Sequence, residues 1–584
     1  ALPICGNAEG VTTIHMTEEE AAQTIAKATI TGGNWSDNSV LEYVNESNLL
    51  VAELTEDGET SFTLTKPAEG TTISAGADLS DVTASETTNV KLSGDADEEI
   101  NTDLTVAYLE VTGAKTLTIK SGATLSAGSI VLGADAVIDV QAGGKLVVTG
   151  STGIVAWKAS NIVLHAAETT TSNESAIEAG QLLLAPAVTS NIHPFGTVEF
   201  LSKSYRVSDS ERMTQFFGVP MYNAHVTSVA YTSPSTYRSR FMVWNGSSYD
   251  LIGYLNPDAG EIEVNSNLAG FNQPFGYYAI DTWKDNDASN TSFSFTGSFN
   301  GNENVNITMN GDWVTLTNAF TGNLKTEAVL NALQAMKNNG YTEIDNAVYM
   351  YQQNSNGALV WNAKNAADLT ESISPMAPLM FNSAAGYPSL TLNYNAMIYA
   401  PATASAPARK ANRDWTKAKI TMEGQGMRDR VVVVETAEDL NAEKYLNGIS
   451  NIYVSAEGKM DIYASEDVNN TLVGYSVKDA GIYTLTFTDV MGNDLVLVDL
   501  ANNTQINIEE GATYTFAASA NEVNDARFQV VEARKMPTAV ETIDADATVK
   551  AQKGIYNMVG KYLGENFDVL PAGIYVVNGV KVVK

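Results

Sequence analysis

Between residues 66 and 190 glycine returns about every ten positions, at Gly113, Gly122, Gly133 and Gly143. Each is followed within a few residues by an aliphatic side chain: Leu117, Leu125, Val137 and Leu146. Short β-runs with small turn residues at a steady interval are the mark of a β-solenoid. Two such runs per coil imply about twenty residues per coil, with Leu, Ile and Val stacked inward and Ser, Thr and Asp facing water. An antiparallel sandwich with regular hairpins is the competing reading of the same interval.

The rest of the chain also reads as strands and turns, so the predicted class is all-β and multidomain. Residues 1–65 form a mixed segment. There Thr17 and Glu20 make a capping box for a short helix, Glu18, Glu19 and Glu20 sit in its first turn, and "TSFTLTK" alternates like a strand. Residues 66–190 hold the solenoid. Residues 191–408 read as a β-sandwich with one inserted helix, "NLKTEAVLNALQAMKNNGY", with Leu324, Val329, Leu330, Leu333 and Met336 on one face. Asn323 is expected to cap its start and Gly340 its end. The Ala/Pro-rich stretch 400–413 has linker composition and marks a boundary. Residues 409–536 read as a second sandwich, and 537–584 as a small C-terminal β-module.

Composition removes several function classes. The chain has 584 residues, with 34 Lys+Arg against 68 Asp+Glu, a net charge of −34. Such a chain repels phosphate backbones and anionic bilayers, so no nucleic-acid partner is expected. Cys5 is the one cysteine, which rules out an internal disulfide, a Cys-rich zinc site and an iron–sulfur cluster. No run of 18 apolar residues is present, so no membrane-spanning helix is expected. The opening "ALPICGNAEG" fits a mature product freed of a signal peptide, or an arbitrary boundary.

Signatures of chemistry are sparse. There is no nucleophile elbow, phosphate loop or zinc-protease motif, and His15, His165, His193 and His225 lie far apart. No residue is singled out as catalytic and no cofactor is implied. Two acidic turns could seat calcium. "DNDASN" carries Asp285, Asp287 and Ser289 but has Asn290 and Thr296 where a calcium loop needs Gly and Glu. "GDADEE" carries Asp95, Asp97, Glu98 and Glu99. Both also read as solvated polar turns. Trp244, Tyr249, Tyr254, Tyr277, Tyr278 and Trp283 crowd one β-region. Aromatic faces stack on sugar rings, but they equally fill a sheet core.

The C-terminal segment is the most specific. In "GIYNMVGKYL" a strand meets a glycine turn, and in "LPAGIYVVNGVKVVK" a strand, the Asn578–Gly579 hairpin signal and a last strand follow. Ile574, Val576, Val580 and Val582 supply apolar positions, and Lys581 and Lys584 blunt an edge. This pattern resembles the C-terminal sorting domain of bacterial type IX secretion substrates. It carries Tyr556, Asn557 and Gly560 of the "YN..G" turn. Pro571, Gly573, Ile574, Tyr575 and Val576 follow from "P.GIY.V", then Lys581 and Lys584 of the basic strand. "PTAVETI" stands where the fuller form has "PNP". Upstream, "GATLSAGSIVLGADAVIDVQAGGKLVVTG" resembles the solenoid stretches of large surface proteins of this class. "SISPMAPLMFNSAAG" with "IDNAVYMY" resembles a further module, one without catalytic residues. The resemblance implies export to the outer cell surface and the export machinery as a partner, but no single activity. The expected function is therefore a non-enzymatic surface protein that associates with its own copies as a layer, filament or stalk. A glycan-binding adhesin, or a hydrolase of polysaccharides, are the alternatives.

Overall fold

The computed structural model describes residues 71–533 and 554–584, together with the backbone of three strands before residue 66. Within these spans it omits 157, 167–178, 203–204, 207–211, 231–238, 246, 257–260, 265–270, 272–274, 283–290, 310–312, 342, 354–358, 371, 384–388, 400–414, 447, 449, 493–494, 558–560, 572 and 578–579. The chain is all-β and divides into two compact units, one up to Glu532 and one from Ala533. The expected strand at "TSFTLTK" is present as Thr60–Thr65, between Asn34–Trp35 and Leu49–Leu54 in an antiparallel sheet. The capping box at Thr17 and the 400–413 linker lie outside the described residues.

The glycine-spaced region is built from parallel rungs. One sheet stacks Thr72–Gly76, Thr88–Leu92, Leu104–Val111, Thr124–Leu132, Lys145–Val148 and Gln181–Leu184. A second stacks Glu98–Ile100, Thr116–Ile119, Val137–Val140, Ile162–Leu164 and Phe195–Ser202. Parallel pairing excludes the hairpin reading here, since adjacent strands of a hairpin run antiparallel. Register repeats by coil: Leu104 faces Leu125, which faces Leu146, which faces Leu182. Across the core Ile119, Val140, Leu164 and Val198 form a matching ladder. Leu125, Leu146, Ile119 and Val140 are each fully buried. Gly113 turns the chain at φ +79°, where a Cβ would also meet the Gly94 carbonyl oxygen at 2.5 Å.

Phe195–Ser202 splices two architectures. It runs parallel to Ile162–Leu164 on one side and antiparallel to Thr291–Phe299 on the other, which in turn pairs with Met221–Ala230. The aliphatic solenoid core thereby passes without a break into an aromatic one, where Phe200 stacks on Phe217 at 4.6 Å and Phe241 meets Phe271 edge-on at 5.5 Å. A five-stranded sheet and a four-stranded sheet follow, ending on Glu261–Val264 and Leu359–Lys364. The helix spans Thr326–Asn338 and buries Val329, Leu330 and Leu333, with Met336 packed beside them. Its start differs from expectation. Leu324–Lys325 is drawn into a strand with Ser372–Ile373, so Asn323 bonds to Ser372 and does not cap the helix. Gly340 closes the end at φ +102° as expected.

Residues 416–532 form one eleven-stranded sheet that nearly closes on itself around its own core. The faces that meet across this sandwich-like core thus belong to a single sheet. One pair within it, Met427–Glu435 with Lys459–Ser465, is parallel. The run "VVVV" has no polar alternation because both faces are buried. Val431 and Val433 enter the sheet's own core, whereas Val432 and Val434 pack with Tyr349, Tyr351, Trp361 and Ala363 of the preceding sheets. Beside them Arg430 pairs with Asp461 at 3.1 Å and Asp368 at 3.0 Å. Lys444 pairs with Asp429 at 2.6 Å and Asp461 at 2.7 Å. Residues on either side of the expected 408/409 boundary thus share buried contacts.

His165 pins three rungs. Its Nε2 lies 2.6 Å from Asp139 on one neighbouring strand and its Nδ1 lies 3.0 Å from Glu199 on the other. Hydrogen bonds to these carboxylates raise the imidazole from 6.5 to about 9, against the opposing effect of burial. A raised folded value means the clamp contributes fully below pH 6.5 and is lost as pH climbs through about 9. The stability gap between the native chain and His165→Gln, read by denaturant unfolding, should therefore shrink by ~1–3 kcal/mol over that window. A gap independent of pH would contradict the clamp.

Candidate functional site

The C-terminal unit is a four-stranded antiparallel sheet in the order Tyr562–Gly564, Ile555–Asn557, Ile574–Val577, Val580–Val583. A sheet this small cannot bury much, and Ile555 and Tyr575 are its buried hydrophobic residues among those described. The motif residues therefore hold it by hydrogen bonds. Asn557 accepts from the Lys561 amide at 2.8 Å and donates its own amide to the Lys561 carbonyl at 3.0 Å, closing the first turn. Tyr575 donates its hydroxyl to the Pro571 carbonyl at 2.7 Å, closing the loop into the third strand. Gly573 and Lys584 exchange backbone hydrogen bonds at 3.2 and 2.8 Å.

Lys584 does more than blunt an edge. Its ammonium donates to the carbonyls of Phe567, Asp568 and Leu570 at 2.8, 2.7 and 2.6 Å, satisfying the C-terminal end of the 3-10 turn Phe567–Val569. Lys581 faces Val576 from the edge strand and is exposed, as expected of a residue that guards an edge. Ile574 and Val583 sit directly opposite each other and both face outward, at 44% and 72% exposure. Val576 and Val582 are half-buried. Gly560 and the Asn578–Gly579 turn lie outside the described residues, although Val577 pairs with Val580 across it.

The six aromatic candidates do not make one platform. Tyr277 and Tyr278 are consecutive on a sheet and point to opposite faces: Tyr278 enters the solenoid-linked core, while Tyr277 stacks on Phe216 at 4.8 Å in the junction core. Burial pushes the Tyr277 hydroxyl well above its usual range. Trp244 meets Tyr249 at 5.0 Å near the surface, and Tyr249 and Tyr254 are each 37% exposed. Trp283 lies outside the described residues. The sequence alone does not show that Phe216, Tyr351 and Trp361 complete this shell, because they come from segments far apart in the chain.

The acidic turns have structural partners. Asp95 accepts from the Ala114 amide and Asp97 from the Thr116 amide, each at 3.1 Å, so each carboxylate fastens one coil to the next. Glu98 accepts from Lys115, whose ammonium is fully buried against Asp78 as well. Asp285 and Asp287 lie outside the described residues. No group of three or more His, Cys, Asp or Glu side chains placed to hold a metal occurs among the described residues. His193 bonds to the Phe299 carbonyl and sits 3.4 Å from Glu303. His225 pairs through its backbone with Thr296, and His15 lies outside the described residues.

Among the described residues no helix is long and apolar enough to cross a membrane. Comparison with protein-family models, curated proteins and solved structures returns no match. The geometry of the C-terminal unit makes its own demand. Tyr575→Phe removes one partly buried hydrogen bond, at a cost of about 1 kcal/mol. Amide exchange at Val576 and Val577 should quicken roughly fivefold, with no change at Leu125 or Leu146. Unchanged exchange at Val576 would contradict the role given to this hydroxyl.

Proposed function

We propose that this chain is a non-enzymatic structural protein of the bacterial cell surface. It is carried out of the cell by type IX secretion and associates with its own copies once outside. The single observation that carries the reading is the C-terminal unit. Its motif residues Asn557, Pro571, Gly573, Tyr575 and Lys584 close a separate small fold, and that fold displays the apolar Ile574–Val583 pair. A recognition label needs a fixed shape with an unburied contact face, and this unit has both.

Self-association is supported by sheet edges. Among the described residues of the eleven-stranded sheet, Thr504–Asn507 pairs only with Leu495–Asp499 and Thr513–Ala518 only with Gly481–Met491. Edges of this kind accept a strand from a second molecule. The carboxylates of the rung turns are engaged in amide caps and ion pairs, which favours a scaffolding role for them. A second reading, glycan adhesion, rests on the Trp244–Tyr249 pair at the surface.

Deleting residues 537–584 should leave the protein inside the producing cell, read by surface labelling and fractionation. Normal surface display of the truncated chain would overturn the export reading. Electron microscopy of the purified full chain should show ordered polymers. Monodisperse particles at high concentration, with and without calcium, would overturn self-association, and loss of glycan retention in Trp244→Ala would favour adhesion.

A further inference from the structure

Where the four-stranded sheet meets the outer face of the eleven-stranded one, there is a cleft of about 230 Å3. Thr421, Thr486 and Thr488 line one wall, from the strands Thr416–Gly424 and Gly481–Met491. Asn362 lines the other, from Leu359–Lys364. Two independent features set this cleft apart from an ordinary gap between sheets.

The first is Asn362. Its side chain is buried, with the residue 5% exposed, yet neither Oδ1 nor Nδ2 has a hydrogen-bond partner. Buried amides are almost always paired, and leaving one unpaired costs roughly 1–3 kcal/mol. Neither atom is open to solvent, so a visiting group reaches this donor and acceptor by a turn of the Asn362 side chain toward the cleft it lines.

The second is charge. Asp368 receives Lys364 at 3.0 Å, Lys419 at 2.6 Å and Arg430 at 3.0 Å. Neither lysine pairs with another carboxylate among the described residues. Arg430 connects onward to Asp461, and Lys444 joins Asp461 to Asp429. The network thus sets four cations against three carboxylates. Burial, reinforced by repulsion from Arg430 and Lys419, holds the Lys364 ammonium below the usual lysine range despite Asp368. Glu423 and Arg428 also line the cleft and offset each other at 3.5 Å, so in a chain of net charge −34 the lining still holds one more cation than carboxylate.

We propose that this cleft binds a single acidic sugar residue. The carboxylate of the sugar meets Lys364 and Lys419, and its hydroxyls meet Asn362 and the threonines. The volume falls below the roughly 300 Å3 at which drug-sized sites begin, so one residue fits and an extended chain does not. A sugar hydroxyl both donates and accepts, and so do the amide and the threonine hydroxyls that face it. A carboxylate-bearing peptide side chain would engage the lysines and leave that polar wall unused. The site depends neither on the export route nor on self-association.

Calorimetric titration of the full chain with D-glucuronate, D-galacturonate, the neutral D-glucuronamide and the dipeptide Glu-Glu tests it. At least one uronate should bind, and at least about tenfold more tightly than the amide and the dipeptide. Asn362→Leu should weaken that binding at least about tenfold while leaving Tm unchanged or higher, because an apolar side chain of similar volume replaces an unpaired amide. If that variant misfolds, Lys419→Gln should show the same loss. The proposal fails if both uronates bind more weakly than about 10 mM or no better than glucuronamide. It fails equally if Glu-Glu binds more tightly, or if a folded variant keeps the native affinity.

Discussion

The strand Met427–Glu435 has no solvent-facing side along its valine run, and much of the larger unit depends on that constraint. Val431 and Val433 belong to one core, Val432 and Val434 to another, so neither core can be completed without the other. The ion network beside them fixes how the sheets meet. Asp429, Asp461 and Lys444 are fully buried at their side chains, where charges are stable only with their partners in place. Removing one member strands the rest, at a cost of about 3–5 kcal/mol. Such a network adds little net stability compared with well-packed apolar residues, but it penalises any slipped arrangement of the two sheets. The same arrangement leaves Asn362, Lys364 and Lys419 around a polar cleft.

A second organising element of this unit is Phe195–Ser202, inside a seven-stranded sheet. A parallel solenoid ends on an exposed strand unless something covers it, and here the covering strand, Thr291–Phe299, runs antiparallel in the same sheet. Phe200 on the splice strand carries the packing across, from stacked leucines to the Phe217–Phe241–Phe271 group. His165 braces the last coils before the splice through Asp139 and Glu199.

Legibility in the sequence followed locality. The coil was readable because in-register stacking forces the same side chain to recur at Leu104, Leu125 and Leu146, so spacing alone exposes it. The C-terminal hairpin was readable because Asn578–Gly579 is a two-residue signal. The helix start was misplaced because Leu324 has a strand partner at Ile373, which nothing near it announces. "DRVVVVE" could be read as a strand, but not as one buried on both sides. The network of Asp368, Arg430, Asp461 and Lys444 was invisible, as were Asn362 and its cleft, because their members come from separate strands and touch only after folding. The aromatic group showed its composition and hid its division: consecutive Tyr277 and Tyr278 serve different cores.

The most direct test is native-state hydrogen exchange on the full chain under rising denaturant. Rung amides such as Leu125 and Leu146 should converge with junction amides such as Val432 and Val434 on one common opening free energy, while Tyr575 and Val576 open separately. If the rungs open well before the junction strands, the solenoid and the eleven-stranded sheet are independent bodies and the shared-core account is wrong.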